Sequence, residues 1–453
     1  MNNTTGLQAP KNIAVIGLGR RGGRLAIKSI DQSPLFTLVA VCETDATAAK
    51  QFHDKRPDLA CFNTVDELLE HQAKAGPGFQ IDCAYVAIPH YQYEFVLPKL
   101  LRAGIHVLKE KPAGSTSREL EDFQELATTN NVRLLTAAQF RYGMHRTQLL
   151  SWLPFIGVLH FVEGTRRIDV SNLGEGWRAS KALACGGALN DIGWHLLDAV
   201  LGLIGSGCNP SVSYSKLFTT RVHQGYDCED SAHLVLELQD AANKKLQPIS
   251  CNIKVSRIAI EKADEIIFSG SDGVLAARGD HIELSTLLAS GKRSLRATYP
   301  KKDNFDLMLA FFARELGFKE PSPEYLAFSK QDALVTSVID AIYKPESAPL
   351  GAPTPIKPIA NGNLHNGDTS GSRLKERWSW PRITQDVAED VQAQLYRDVS
   401  IYGNGGVFGE FETLFKQFHG RTEWHALLHN SGTNALNSLY YAAKFMPGDE
   451  VCK

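Results

Sequence analysis

Three short segments of this 453-residue chain hold side chains that could do chemistry. Lys111 sits in Glu110-Lys111-Pro112 directly after an apolar run, where an ammonium could orient a hydroxyl and stabilise a developing alkoxide. Asp191 and His195 are spaced i,i+4 and so share a helix face, and an imidazole beside a carboxylate can shuttle a proton near neutral pH. Gly17-Leu18-Gly19-Arg20-Arg21-Gly22 follows a strand-like run and opens a helical one; such a turn offers backbone N–H groups and the positive end of a helix to a pyrophosphate. Taken singly, each has a plain structural reading: a solvated strand-end lysine, a helix-capping aspartate, an interior histidine, a tight turn. Taken in order, a phosphate cradle followed by an acid–base set points to hydride chemistry on a dinucleotide.

The elements that must position them alternate. Strand-like runs at 12–16, 37–42, 84–88, 105–108 and 132–136 are interleaved with helical patterns at Arg20–Ile30, Asp45 to about Phe52, and near Tyr91–Ala103. That rhythm predicts a parallel, doubly wound sheet. In it Gly17 permits the turn, Gly19 lets the backbone approach a pyrophosphate, and Gly22 lets helix and strand pack closely. Glu43 closes the second strand, about 20 residues past the loop, where a carboxylate would accept from a ribose diol and repel a 2'-phosphate. NAD is therefore expected over NADP, with Arg20 and Arg21 as the cations a 2'-phosphate would meet. Pro89, Glu110 and Lys111, which follow later strands, complete the expected cofactor groove. Pro112 cannot extend the ladder, so Lys111 emerges at a strand's carboxyl end, on the crevice side.

Beyond Gly143, residues 159–165, 212–219, 232–238, 249–255 and 265–269 have strand-like composition, with a turn signal at Ser271-Asp272-Gly273. Helical patterns at about 304–316 and 331–343 end that region. A formal charge of −2 gives no long-range pull toward nucleic acid or an anionic membrane. No stretch approaches the ~20 apolar residues of a membrane span. Eight cysteines lie scattered without a CxxC pair, which suits a reducing compartment. The polar start, Met1 to Pro10, lacks a cationic segment ahead of an apolar run. A cytoplasmic protein with a small-molecule partner and no metal site is expected.

These residues resemble the Gfo/Idh/MocA oxidoreductase family over about Lys11 to Lys344. The marks are the glycine loop, Glu110-Lys111-Pro112, Gln139-Phe140-Arg141-Tyr142, Trp177-Arg178, and Gly186-Gly187 through Asp191 and His195. The resemblance implies that Lys111, Asp191 and His195 form a catalytic trio. It implies a Rossmann domain at 11–137 and an α+β domain at 138–344 whose large, mostly antiparallel sheet packs against another subunit, giving a homo-oligomer. Arg141, Tyr142, Trp177, Arg178 and His195 are the candidates for gripping a substrate. One departure stands out: His90 and Tyr93 occupy positions where the family usually has a small polar residue and a histidine.

A linker rich in Pro, Gly, Asn and Ser spans 345–376, and the pattern turns globular again at 377–453. That tail resembles the start of a DegT/DnrJ-type, pyridoxal-phosphate-dependent sugar aminotransferase through Phe411-Glu412, Ser431-Gly432-Thr433 with Ala435-Leu436, and Pro447-Gly448-Asp449-Glu450-Val451. Because the family's aldimine lysine is not matched, no transaminase activity is expected. Ser431, Gly432 and Thr433 would at most hold an anion, and pyridoxal phosphate is not an expected cofactor. The expected activity is oxidation of a secondary hydroxyl of a sugar, sugar phosphate, nucleotide sugar or cyclitol, or the reverse. A non-catalytic nucleotide-binding regulator and an enzyme that uses bound NAD transiently are the alternatives.

Overall fold

A computed structural model describes residues 9–205, 207–240, 248–288, 291–299 and 304–344. Residues 345–453, with Ser431, Gly432 and Thr433, lie outside the described residues.

The first half alternates as β1 Lys11–Ile16, α1 Ile27–Gln32, β2 Phe36–Cys42, α2 Ala46–His53, β3 Ala60–Phe62, α3 Val65–Ala75, β4 Cys83–Val86, α4 Tyr93–Arg102, β5 His106–Glu110, α5 Ser117–Thr129 and β6 Leu134–Ala137. All strand pairings are parallel, in the order β3-β2-β1-β4-β5-β6. The strands are buried on both faces, which is why they read as continuous apolar runs. The order reverses between β1 and β4, so the crevice for a ligand opens beyond the carboxyl ends of those two strands.

Local chemistry sets the helix starts. Asp45 caps α2 by accepting from Thr47 N and Ala48 N, both at 2.9 Å, and Thr116 caps α5 by accepting from Glu119 N at 3.1 Å. Two expected α-helices begin differently. The Arg20–Ile30 pattern opens with a π-helical turn over Arg20–Ala26, and the pattern at 191–203 opens with another over Leu189–Gly193, ahead of the α-helix at Trp194–Ile204. Such turns concentrate at functional sites, and hydrophobic periodicity does not reveal them.

The second half contains α6 Met144–Trp152, β7 Leu159–Asp169, α7 Lys181–Ala184, α8 Trp194–Ile204, and then β8 Cys208–Phe218, β9 Ser231–Asp240, β10 Ile249–Ser256, β11 Ile258–Gly270, β12 Gly273–Arg278, β13 His281–Leu288 and β14 Gly291–Thr298, closing with α9 Phe305–Leu316 and α10 Pro323–Tyr343. Eight strands form one sheet in the order β14-β13-β12-β11-β7-β10-β9-β8, antiparallel except for β7 with β10. Leu196, Leu197, Val200 and Leu201 of α8 pack with Leu234 and Leu236 of the sheet and with Val335 and Ile339 of α10. Strands β12 to β14 go beyond the five read from sequence.

One placement departs from the division at 137/138. Phe305, Met308, Leu309 and Phe312 of α9 share the core of the first half with Ile13, Val15, Tyr85 and Leu108. The chain leaves the Rossmann half after β6 and returns to it at α9. A Cβ on Gly143 would come within 2.2 Å of the Asn304 amide, so the exit and the return run side by side.

Candidate active site

The crevice mouth is built from loops after β1 and β4. Gly17 has φ +92°, and a Cβ there would strike Ala87 O of the β4 loop at 2.5 Å. Gly22 is pressed against Gly17 O, whereas a Cβ on Gly19 would meet nothing within 4 Å. Open space therefore lies at the start of the Arg20–Ala26 turn, which has no side-chain cap and no acid in its first turn. Uncapped N–H groups beside two arginines suit an anionic group. Glu43 is held at the end of β2, its two oxygens accepting from Leu18 N at 2.7 Å and Asp45 N at 2.9 Å. That leaves lone pairs for a ribose diol. These residues fit a dinucleotide.

Lys111 leaves β5 into a turn that is tied down from several sides. Tyr85 Oη donates to Glu110 Oε1 at 2.6 Å, Tyr93 Oη donates to Glu110 O at 2.9 Å, and Arg21 lies 3.9 Å from the Glu110 carboxylate. Lys111 Nζ, on a nearly buried side chain, donates to Asp191 O at 2.6 Å and to Asp191 Oδ1 at 2.8 Å. Two of its three donors are thus spent, and one is left for a substrate hydroxyl.

Asp191 lies in the second π turn. The turn's N-terminus is capped from another element: the Glu229 carboxylate accepts from Gly187 N at 2.9 Å and Leu189 N at 2.9 Å, and from Tyr343 Oη at 2.6 Å. A Cβ on Gly187 would collide with Glu229 O, so the approach needs glycine. Burial is the largest single influence and works against a charge on Asp191, but the charge and hydrogen bond of Lys111 together with Arg178 and Arg257, at 3.8 Å each, outweigh it. Its carboxyl is held well below the usual carboxylate range and stays ionised.

His195 follows one turn later and is half-buried. Burial, then the charges of Lys111 and Arg166, hold its pKa well below the ordinary histidine value. It is neutral at physiological pH and has no hydrogen-bond partner among the described residues, which leaves a ring nitrogen able to take a proton. Asp191, close enough to favour a charge on His195, would stabilise the imidazolium that forms.

Trp177 and Arg178 flank this centre. The Arg178 guanidinium stacks 4.2 Å over the Trp177 ring, and that ring meets His90 edge-on at 4.6 Å. His90 is buried, its pKa pushed down to about 3 by burial and by Lys111. Its Nδ1 lies 2.9 Å from Ala184 O, so Nδ1 carries the proton and donates. Tyr93, the other departure, anchors the Lys111 turn through its hydroxyl.

Arg141 and Tyr142 do not belong to this site, contrary to the sequence expectation. The Arg141 side chain is 0% exposed and bonds Asp198 and Asp332 at 2.6 Å each. Tyr142 packs against Phe311 and Phe328, and its hydroxyl is buried without a partner among the described residues. Arg141 is buried in the core, and Tyr142 packs partly buried against it. Conversely, sequence reasoning missed Lys109, Glu229, Arg257 and Tyr343. Only Lys109 carries a local signal, a charge inside an apolar strand; the others reach the site from 38 to 152 positions beyond Asp191.

This geometry defines a dinucleotide crevice with an ammonium, a carboxylate and a neutral imidazole at its mouth. The chain belongs to the Gfo/Idh/MocA oxidoreductases: the model described as oxidoreductase family, NAD-binding Rossmann fold, matches residues 11–138, and that of the GFO/IDH/MocA C-terminal domain matches 155–276. Among curated relatives, it is 32% identical over 193 residues to a putative UDP-kanosamine synthase oxidoreductase subunit of Amycolatopsis mediterranei, covering 42% of this chain and 51% of the relative. It is 26% identical over 220 residues to D-glucoside 3-dehydrogenase of Escherichia coli, covering 47% and 60%. The chain thus spans between half and two thirds of the length of these relatives. Its fold is similar to that of KijD10, a 3-ketoreductase from Actinomadura kijaniata solved with NADP and TDP-benzene, with a TM-score of 0.61, 20% identity and coverage of 73% and 96%. It is also similar to that of aldose-aldose oxidoreductase from Caulobacter crescentus, with a TM-score of 0.61, 19% identity and coverage of 74% and 96%. No helix of the described residues is long and apolar enough to cross a membrane.

Proposed function

We propose that this protein is an NAD(P)-linked oxidoreductase that interconverts a secondary alcohol and a ketone on a sugar, sugar phosphate, nucleotide sugar or cyclitol. The observation that carries the reading is the Lys111 ammonium fixed 2.8 Å from an ionised Asp191, with neutral His195 one turn away. When bound, the nicotinamide ring supplies the hydride acceptor. In the oxidising direction His195 takes the hydroxyl proton as general base, Lys111 orients that hydroxyl through its free donor and stabilises developing alkoxide, and Asp191 fixes the ammonium. Arg178, half-exposed beside Trp177, is placed to grip a hydroxyl or phosphate. The fixed Glu43 carboxylate supports NAD over NADP.

The relatives named for D-glucoside oxidation and UDP-kanosamine synthesis support a sugar substrate. The aminotransferase resemblance of 377–453 supports one whose ketone is later aminated, as in amino-sugar formation. The large sheet leaves Ile260, Leu287 and Leu295 exposed, which supports a second copy of the chain covering it. The test is reduced-cofactor formation with a panel of sugars, sugar phosphates, nucleotide sugars and cyclitols. Turnover should appear for one class and fall about 10²-fold or more in His195→Ala. Equal turnover in that variant would reject the base assignment, and no turnover on any class would reject the reading.

A further inference from the structure

Lys109 is a lysine where β5 calls for an apolar side chain. Its backbone pairs with Val86 on β4 and Thr136 on β6, and the residue is 0% exposed. Burying an ammonium is costly unless other groups replace its hydration, and among the described residues no carboxylate pairs with it. Backbone carbonyls and an aromatic face take that place. Nζ donates to Glu110 O at 3.1 Å and to Pro112 O, and stands 4.0 Å from the centre of the Tyr93 ring. Burial draws its pKa down to about 8, so it is charged at neutral pH.

The two carbonyls flank Lys111. The same Tyr93 whose ring faces the ammonium donates its hydroxyl to Glu110 O at 2.9 Å and to Lys111 O at 3.4 Å. Three successive carbonyls, those of residues 110 to 112, are therefore held by one ammonium and one phenol. We propose that Lys109 is a positioning residue: its buried ammonium clamps the Glu110–Pro112 turn so that the Lys111 side chain meets Asp191. The proposal rests on the reading of Lys111 as the group that handles the substrate hydroxyl. An apolar residue in this strand would serve packing at least as well, so what the lysine adds is direction. A displacement of about 1 Å at a reacting group can cost about 10²-fold in rate.

The test is Lys109→Met, which keeps the length and removes the charge. Trace acetylation of the full chain followed by mass spectrometry reads how well Lys111 is protected by Asp191. The proposal expects Lys111 to label about fivefold faster or more in the variant, as a locally released group does. It also expects kcat to fall about 10²-fold in a variant that still unfolds cooperatively. A folded variant in which Lys111 labels at the wild-type rate overturns it. Should Lys109→Met fail to fold, Tyr93→Phe keeps the ring and removes the second donor. There Lys111 labelling must rise about twofold, and an unchanged rate overturns the clamp. Labelling needs no substrate, so a protein that turns over nothing on the panel would reject the oxidoreductase reading and leave this result standing.

Discussion

Two cations in this protein, Lys111 and Arg141, meet carboxylates at similar distances and, on the proposed reading, have opposite roles. Lys111 meets Asp191 at 2.8 Å where the Asp191 side chain is 23% exposed, whereas Arg141 meets Asp198 and Asp332 at 2.6 Å with its own side chain at 0%. All three nitrogens of Arg141 are committed within the core: Nε and Nη2 go to Asp198, Nη2 also to Asp332, and Nη1 lies 3.5 Å from Phe328 O. Lys111 retains a donor and lies just past the carboxyl end of β5. Contact distance alone does not separate a working pair from a structural one; access and a spare hydrogen bond do.

The sharpest way to break this comparison is to remove each cation and read both activity and stability. Lys111→Met should lower kcat/KM by about 10²- to 10⁴-fold while the urea midpoint stays near that of the wild type. Wild-type turnover would refute the role given to Lys111. Arg141→Met should do the opposite. It strands two buried carboxylates, so the loss should be about 3–5 kcal/mol in urea unfolding, with kcat of the folded fraction retained. Replacing Arg141, Asp198 and Asp332 together by apolar residues should recover most of that loss, since well-packed hydrophobic side chains often substitute for buried ion networks. If Arg141→Met abolishes turnover without moving the urea midpoint, Arg141 belongs in the site after all.

The smallest effect is a pH slope. Burial lowers His90 from 6.5 to about 3 and His106 from 6.5 to about 4. Over that interval the unfolded chain binds more protons than the folded one, so stability rises as pH climbs to 6.5 and is lost on acidification. Urea midpoints at about pH 4.5 and about pH 7 should show it, and His90→Gln should flatten the slope. An unchanged slope would mean that His90 is not held neutral.

Much of this was legible in the sequence where the signal is local. The glycine loop, the apolar strands of the parallel sheet and the Lys111 and Asp191 motifs were all readable, because each rests on neighbours a few residues apart. Arg141 was misjudged because its type suits substrate binding, while its partners Asp198 and Asp332 lie 57 and 191 residues away. Strand β14 escaped because its side chains are nearly all exposed and include Lys292, Arg293 and Arg296. Charged edges guard a sheet against further pairing, and they also erase the alternation that marks a strand. The three-residue β3 is too short to show periodicity.

The homecoming of α9 has a consequence for how the molecule comes apart. Because Phe305, Met308 and Phe312 fill the Rossmann interior, the nucleotide half cannot be finished until the polypeptide has threaded the entire eight-stranded half and come back. Melting should therefore proceed as one cooperative event, and a protease cut between Thr298 and Phe305 should undo the half that was made first.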